Sequence, residues 1–302
     1  MTIRFDGKVA IVTGAGGGLG RQHALALAAR GAAVVVNDLG GKVDGNGGAA
    51  TAANAVAEEI GKAGGKAIAN GASVTDWNAV QAMVDQALRE WGRVDILVNN
   101  AGILRDKTFA KMDLADFRLV IDVHLMGAVN CTKAVWETMR AQNYGRVVMT
   151  TSSTGLFGNF GQSNYGAAKM ALVGLMQTLS LEGAKHNIQV NCLAPTAATR
   201  MTENLMPEAV LRQLEAGAVT PGLLTLVADD APTRTILCAG AGSFERAHVT
   251  LTQGIYVGNG ADSAERVAAH LDAISDRSGE TVPESGNAQG ALEIAKATAA
   301  QR

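Results

Sequence analysis

KVAIVTGAGGGLG, residues 8–20, is the stretch on which the fold turns. Residues 8–13 (KVAIVT) are a short apolar run rich in β-branched side chains, which reads as a buried strand. From 18 to 30 the pattern becomes helical. Between them lie Gly14, Gly16, Gly17, Gly18 and Gly20, with Leu19 among them. Glycines at such a junction allow a tight turn and let the main chain come close to a second group. The helix that begins there presents unpaired N–H groups and the positive end of its dipole, which suits an anion such as a pyrophosphate. Such a turn means little alone; between a strand and a helix it points to a dinucleotide.

Working outward, strand-like and helix-like runs alternate. Strands are expected at Ala33–Asn37, Lys66–Asn70, 94–99, 146–151 and 188–193, with 235–238 as part of a seventh. Helices are expected at roughly 49–63, Trp77–Trp91, 114–141 and 163–185. This order implies βαβ units with right-handed crossovers: an α/β fold, a Rossmann-like doubly wound parallel sheet of about seven strands with helices on both faces. Residues 1–258 read as one domain, with a substrate loop near 196–228. Residues 259–302 read as a C-terminal helical extension, with helical periodicity in 262–276, a Gly/Ser/Pro-rich hinge over 278–290 and a short helix over 291–300.

Asp38 follows the last glycine of the turn at the end of the second strand. A carboxylate there can accept both hydroxyls of an adenosine ribose and repels a 2′-phosphate. No Arg or Lys occurs from Val9 through Gly20, and none immediately follows Asp38. The expected cofactor is therefore NAD rather than NADP.

Composition agrees. Of 302 residues 47% are hydrophobic, only 4% are aromatic and 36 are glycine, a balance suited to a parallel sheet covered by alanine-rich helices. A net charge of −2 gives no reason to expect nucleic acid or an anionic membrane as partner. Cys131, Cys192 and Cys238 are far apart and read as small buried hydrophobes in a reducing compartment. Residues 1–4 lead straight into the first strand, and no apolar run reaches about 18 residues. The final Ala-Ala-Gln-Arg is no peroxisomal address, so the expected location is cytoplasmic.

A second stretch carries the chemistry. In SSTGLFGNFGQSNYGAAK, residues 152–169, Ser152 precedes Tyr165, and Lys169 follows Tyr165 by one helical turn. An ammonium beside a phenol favours the phenolate, and a phenol of lowered pKa is a general base near neutral pH. Ser152 could hold the oxygen that loses its proton. No metal is called for, since hydrogen bonds and charge supply the polarisation.

Together these motifs resemble the short-chain dehydrogenases/reductases. The family's TGxxxGxG turn matches Gly14, Gly18 and Gly20; its NNAG motif matches Asn99, Asn100, Ala101 and Gly102; its Ser and YxxxK elements match Ser152, Tyr165 and Lys169. The glycine-rich insertion within 37–48, NNAGILRDKTF at 99–109, GNFGQSNY at 158–165 and TRMT at 199–202 resemble one branch. That branch comprises the (3R)-hydroxyacyl-CoA dehydrogenase units of peroxisomal multifunctional enzymes type 2 and their free-standing bacterial relatives. Beyond Gly258 the similarity is loose.

The resemblance implies further site residues. The family's asparagine in Asp-Val-Asn-Leu is replaced by His124 in Asp122-Val123-His124-Leu125. In the family its main-chain carbonyl holds a proton-relaying water, and His124 can present the same carbonyl; a satisfied structural histidine is the other reading. Ser73 and Val74 stand where the adenine pocket usually has Asp-Val, with Asn100 on the same side. Ala197, Ala198, Thr199 and Arg200 occupy the segment that closes over the nicotinamide, and Lys169 also bonds its ribose. GNFGQS at 158–163 reads as a wall of the substrate pocket. Arg105, Lys107, Arg200 and Arg212 are candidate partners for CoA phosphates, and Arg21 reads as a surface contact.

The activity implied is reversible oxidation of a secondary alcohol on a small-molecule substrate, an acyl-CoA or a steroid. The first expectation is a (3R)-hydroxyacyl-CoA or a sterol side-chain CoA thioester, with a 17β-hydroxysteroid as the close alternative. A 3-oxoacyl carrier-protein reductase is disfavoured by Asp38, and a silent NAD-binding scaffold by the complete Ser152/Tyr165/Lys169 set. A homodimer or homotetramer is expected, built on the helices at 114–141 and 163–185, with Ala167, Ala168, Ala171 and Gly174 permitting close approach.

Overall fold

Strand β1 (Val9–Thr13) and strand β2 (Ala33–Asn37) are buried at every position, as expected of β-branched runs that must be covered on both faces. A computed structural model describes residues 2–41, 44, 50–198, 211 and 213–301 of the chain. Strands β3 (Lys66–Asn70), β4 (Ile96–Asn99), β5 (Gly145–Thr150), β6 (Ile188–Thr196) and β7 (Ile236–Gly240) complete a parallel array. The order is β3-β2-β1-β4-β5-β6-β7-β8, where β8 (Ser243–Ala247) is an eighth strand beyond the seven expected. Its sequence SFERA has no apolar run and is exposed over four of its positions, so periodicity gave no sign of it.

Helix α1 (Gly18–Ala29) follows the glycine turn, and α2 (Thr51–Lys62) follows β2. With α8 (Thr220–Leu226) they bury one face of the sheet, through residues such as Leu27, Val56 and Leu223. The β-strands run outward from β1 to β3 and then cross back to β4 on the other side of β1. At such a reversal a crevice opens beyond the carboxyl ends of the strands. Its position places the glycine turn beside the segment after Asn99.

Helix α3 (Trp77–Trp91) starts at Asp76, whose side chain accepts from the N–H of Asn78 and of Ala79, and stops at Gly92 with φ of 74°. The single helix expected over 114–141 is instead α4 (Leu114–Ile121) and α5 (Gly127–Gln142), joined by a π turn at Asp122–Met126. Such a turn contains one extra residue per ring of hydrogen bonds and commonly marks a functional site. Within 152–169 the structure adds a short helix, α6 (Ser153–Phe157), before α7 (Ser163–Gly183), which one 3₁₀ turn at Ala184–His186 prolongs.

The chain divides into Met1–Arg246 and Ala247–Arg302, whereas the sequence reading put the division after Gly258. The second unit holds helices α9 (Ser263–Ala269), α10 (Leu271–Ile274) and α11 (Gly286–Ala299), and an antiparallel bridge between Leu251 and Thr281. Its last helix thus begins inside the stretch read as a hinge. Cys131 and Cys192 are buried as expected, but Cys238, on β7, is only half-buried. No helix among the described residues is long and apolar enough to cross a membrane.

Candidate active site

A cleft of about 430 Å³ opens at the reversal of strand order. At one end lies the β1–α1 turn. Gly14 has φ of 64° and Gly18 of 51°, the left-handed region that glycine tolerates. Helix α1 begins at Gly17 with no side-chain cap, which leaves its first N–H groups directed toward the cleft end. Asp38 binds the turn directly: Gly16 N–H donates to Oδ2 at 2.8 Å, and Gly40 N–H donates to Oδ1 at 2.7 Å. Each oxygen keeps a second lone pair for a hydroxyl.

The turn is also tied to the loop after β4. Asn100 Nδ2 donates to the carbonyls of Thr13 at 2.9 Å and Gly14 at 3.2 Å, while the N–H groups of Asn100 and Ala101 donate to Thr13 Oγ1. A Cβ on Gly20 would stand 2.3 Å from Gly14 O, and one on Gly16 would stand 2.8 Å from the Asp38 carboxylate. These two glycines therefore exclude side chains from the packing of the turn. They do not line the cleft themselves, unlike Gly14, Gly17, Gly18 and Leu19. Such a cradle of main chain fits a dinucleotide phosphate group.

Ser73 and Val74 lie in the same wall, with Val74 O accepting from Asn130 Nδ2 at 2.9 Å. Ala101, Gly102 and Ala197 also line the cleft. Ala198 does not; its N–H donates to Leu214 O in a bridge toward Glu215. Thr199, Arg200, Arg212, the TRMT segment and most of the glycine-rich insertion lie outside the described residues.

At the other end, Ser152, Tyr165 and Lys169 converge. Ser152 caps α6, with Oγ accepting from Thr154 N–H at 3.1 Å, so the fold places its hydroxyl at a helix start. Lys169 is 3% exposed; its Nζ donates to Thr150 O at 2.5 Å and lies 5.4 Å from the centroid of the Tyr165 ring. Burial raises the Tyr165 phenol above its usual value, opposed by a hydrogen bond with Ser152 and reinforced by the charge of Asp106. Burial lowers Lys169 to about 7. The expected lowering of Tyr165 by Lys169 is thus reversed in the protein alone. Desolvation outweighs the hydrogen bond with Ser152, and Lys169 is engaged with a carbonyl rather than the phenol.

His124 sits in the π turn, 3% exposed, with its ring edge-on to Tyr165 at 5.2 Å between centroids and 87° between planes. Beyond Tyr165, the wall foreseen over 158–163 is organised by Gln162. Its Oε1 accepts from Thr154 Oγ1 and from Asn159 Nδ2, both at 3.0 Å, and its Nε2 donates to Asp106 Oδ2 at 2.6 Å. Lys107 N–H donates to Gly161 O at 2.9 Å, fastening the same two segments. Asp106, Thr154 and the apolar Leu104 and Leu119 were not singled out from sequence. None has a spacing signal; only Thr13, polar at the end of a buried strand, could have been noticed.

Among the described residues, the candidate CoA cations Arg105 and Lys107 are engaged. Arg105 Nη1 pairs with Asp116 at 3.1 Å and its Nε donates to Asp44 O, while Lys107 reaches the same Asp116 at 3.6 Å. Arg21 pairs with Glu59 at 2.7 Å, a surface contact. On α7, Ala167 and Gly174 are exposed and Ala171 partly so, but Ala168 is buried within this chain and faces Ile103 and Val120 rather than a partner.

Comparison with known proteins agrees with this geometry. The family model for short chain dehydrogenases matches residues 8–209. The chain is 51% identical over 224 residues to the peroxisomal hydratase-dehydrogenase-epimerase of Saccharomyces cerevisiae, covering 74% of this chain and 25% of that protein. The solved full-length peroxisomal multifunctional enzyme type 2 of Drosophila melanogaster superposes with a TM-score of 0.81 at 36% identity, over 98% of this chain and 50% of that one. A 7α-hydroxysteroid dehydrogenase solved with NADH and 7-oxo glycochenodeoxycholic acid gives a TM-score of 0.71 at 31% identity, over 80% of this chain and 95% of that one. The chain thus spans a quarter to a half of the multifunctional relatives, and they represent the branch its motifs resemble. It belongs to the short chain dehydrogenase family, oxidoreductases that work with a nicotinamide cofactor.

Proposed function

We propose that the chain oxidises the hydroxyl of a (3R)-hydroxyacyl-CoA, or a sterol side-chain CoA thioester, reversibly to the ketone with NAD. The observation that carries this reading is the arrangement of one cleft: Asp38 and an uncapped helix start at one end, Ser152, Tyr165 and Lys169 at the other. Asp38 would accept the adenosine ribose hydroxyls, and its charge disfavours a 2′-phosphate, hence NAD. The nicotinamide, when bound, takes up the hydride and in its oxidised form adds a positive charge beside the phenol.

The chain's own groups handle the proton. Ser152 Oγ donates to or accepts from the alcohol oxygen and fixes it near Tyr165. Tyr165 takes the hydroxyl proton as the carbon becomes a carbonyl and returns it in the reverse direction. Burial holds the resting phenol protonated, so ionisation waits on cationic charge nearby, from Lys169 in its ammonium form and from the oxidised nicotinamide. Excluding water from this end strengthens each of those interactions.

A second reading, a 17β-hydroxysteroid, is favoured by the apolar wall of Leu104, Leu119 and Val123 and by the pairing of Arg105 and Lys107 with Asp116. A panel of (3R)- and (3S)-3-hydroxyacyl-CoA and 17β-hydroxysteroids, followed by NADH absorbance, separates the two. NADH is expected with the (3R) thioester and not the (3S). Turnover of steroids alone would select the second reading, and NADH from none of them would overturn both.

The assembly we propose is a homodimer or homotetramer through α4, α5 and α7, a reading supported by exposed Met170 and Leu181 beside Ala167 and Gly174. A reducing, cytoplasmic location is supported by the free cysteines.

A further inference from the structure

His124 meets the main chain of the loop after Asn99. Its Nε2 lies 2.8 Å from Ile103 O and 3.1 Å from Ile103 N. A Cβ on Gly102 would stand 2.3 Å from His124 Cε1, so the imidazole occupies space that only a glycine leaves. Burial holds the ring well below the usual histidine value, with the charge of Lys169 acting in the same direction, so it is neutral. A neutral imidazole has one donor and one acceptor nitrogen. With the proton on Nε2 the ring donates to Ile103 O and Nδ1 is an acceptor; with the proton on Nδ1 the ring accepts from Ile103 N–H and Nδ1 is a donor.

Nδ1 is buried and has no partner. The same holds for Asn99 Oδ1, although Asn99 Nδ2 donates to Thr132 Oγ1 at 3.0 Å and contacts Met149 Sδ at 3.3 Å. His124 and Asn99 both line a small cavity of about 10 Å³ that shares Val74, Ala101, Val123 and His124 with the cleft and is completed by Thr13, Gly127 and Ala128. That is about the space of one water, and a buried polar atom left unpaired costs about 1–3 kcal/mol. A water there suits either tautomer, since it can donate to Asn99 Oδ1 and either donate to or accept from His124 Nδ1.

We propose that this cavity binds a single water donating to Asn99 Oδ1 and hydrogen-bonded to His124 Nδ1, and that His124, held between this water and Ile103, is a positioning residue whose ring edge sets the orientation of Tyr165. The second half rests on Tyr165 as the proton acceptor; the first does not. It also gives the histidine in this chain a side-chain role, distinct from the main-chain carbonyl that the family resemblance implies.

A high-resolution crystal structure of the whole chain should show an ordered water within about 2.7–3.2 Å of both atoms. A cavity without one, or a water touching only one of the two, would overturn the site. In His124→Gln and His124→Ala, crystal structures should show the Tyr165 hydroxyl displaced from its place beside Lys169. Their kcat should fall about tenfold or more, with the NADH dissociation constant within about twofold. A Tyr165 that stays in place with kcat unchanged would overturn the positioning role, as would loss of NADH binding in step with kcat. If no alcohol is turned over even by the wild type, the function falls, while the water and the Tyr165 displacement are still read from the crystals.

Discussion

At the glycine-turn end of the cleft the walls are largely main chain; at the Tyr165 end they are side chains. Around Gly14–Gly20 the structural contacts are N–H groups and carbonyls, with Asp38, Thr13 and Asn100 as braces between segments. Around Tyr165 the contacts run through Gln162, which gathers Thr154, Asn159 and Asp106 onto one amide. The turn tolerates no side chain where its own segments approach to 2.3 Å, as between a Cβ on Gly20 and Gly14 O. Its shape is therefore fixed. A wall of side chains can be rebuilt by exchanging a few polar residues, which suits the end proposed to select the alcohol.

The comparison breaks if damage at one end appears in the binding constant of the other. Asp38→Ala should weaken NAD and change the NAD/NADP preference by about 10–100-fold, as expected for losing a charged acceptor. KM for the alcohol at saturating NAD should stay within about twofold. An unchanged cofactor preference would remove Asp38 from the ribose site.

Gln162→Ala is the counterpart. It removes three side-chain hydrogen bonds at a partly exposed position, so KM for the alcohol should rise about fivefold to tenfold, with NADH affinity unchanged. An unaltered KM would mean that the wall does not touch substrate.

The smallest effect concerns the brace under α1. His23 is fully buried, with Nδ1 3.0 Å from Thr220 Oγ1, and burial lowers it to about 3. The folded His23 stays neutral down to about pH 3, whereas the unfolded chain takes a proton below about pH 6.5. The unfolded state then binds more protons, so this residue costs stability as pH falls through that window. Melting temperatures of wild type and His23→Gln should converge by a few degrees between about pH 7 and about pH 4.5. A constant gap would contradict the neutral buried histidine.

The same contrast explains what could be read from the sequence. Gly14, Gly18, Asp38 and the Asn99–Gly102 motif were legible because a backbone-built site imposes residue type and spacing. The sheet was legible because its inner strands are uniformly apolar. Strand β8 was not, being polar at an edge, and neither was the π turn, since one extra residue in a helix barely alters an apolar stripe. Asp106 and Thr154 carry ordinary polar side chains whose meeting depends on a fold that brings residues 106 and 162 together. The direction of the Tyr165 shift was missed because motif spacing reports proximity to Lys169 and says nothing of burial.

The most direct test of the account is the Tyr165→Phe variant with NAD and a (3R)-3-hydroxyacyl-CoA. NADH formation should fall by about 10²–10⁴-fold relative to wild type, while the NADH dissociation constant stays within about threefold. A variant that keeps its turnover would contradict the assignment of Tyr165, and with it the chemistry proposed for this cleft.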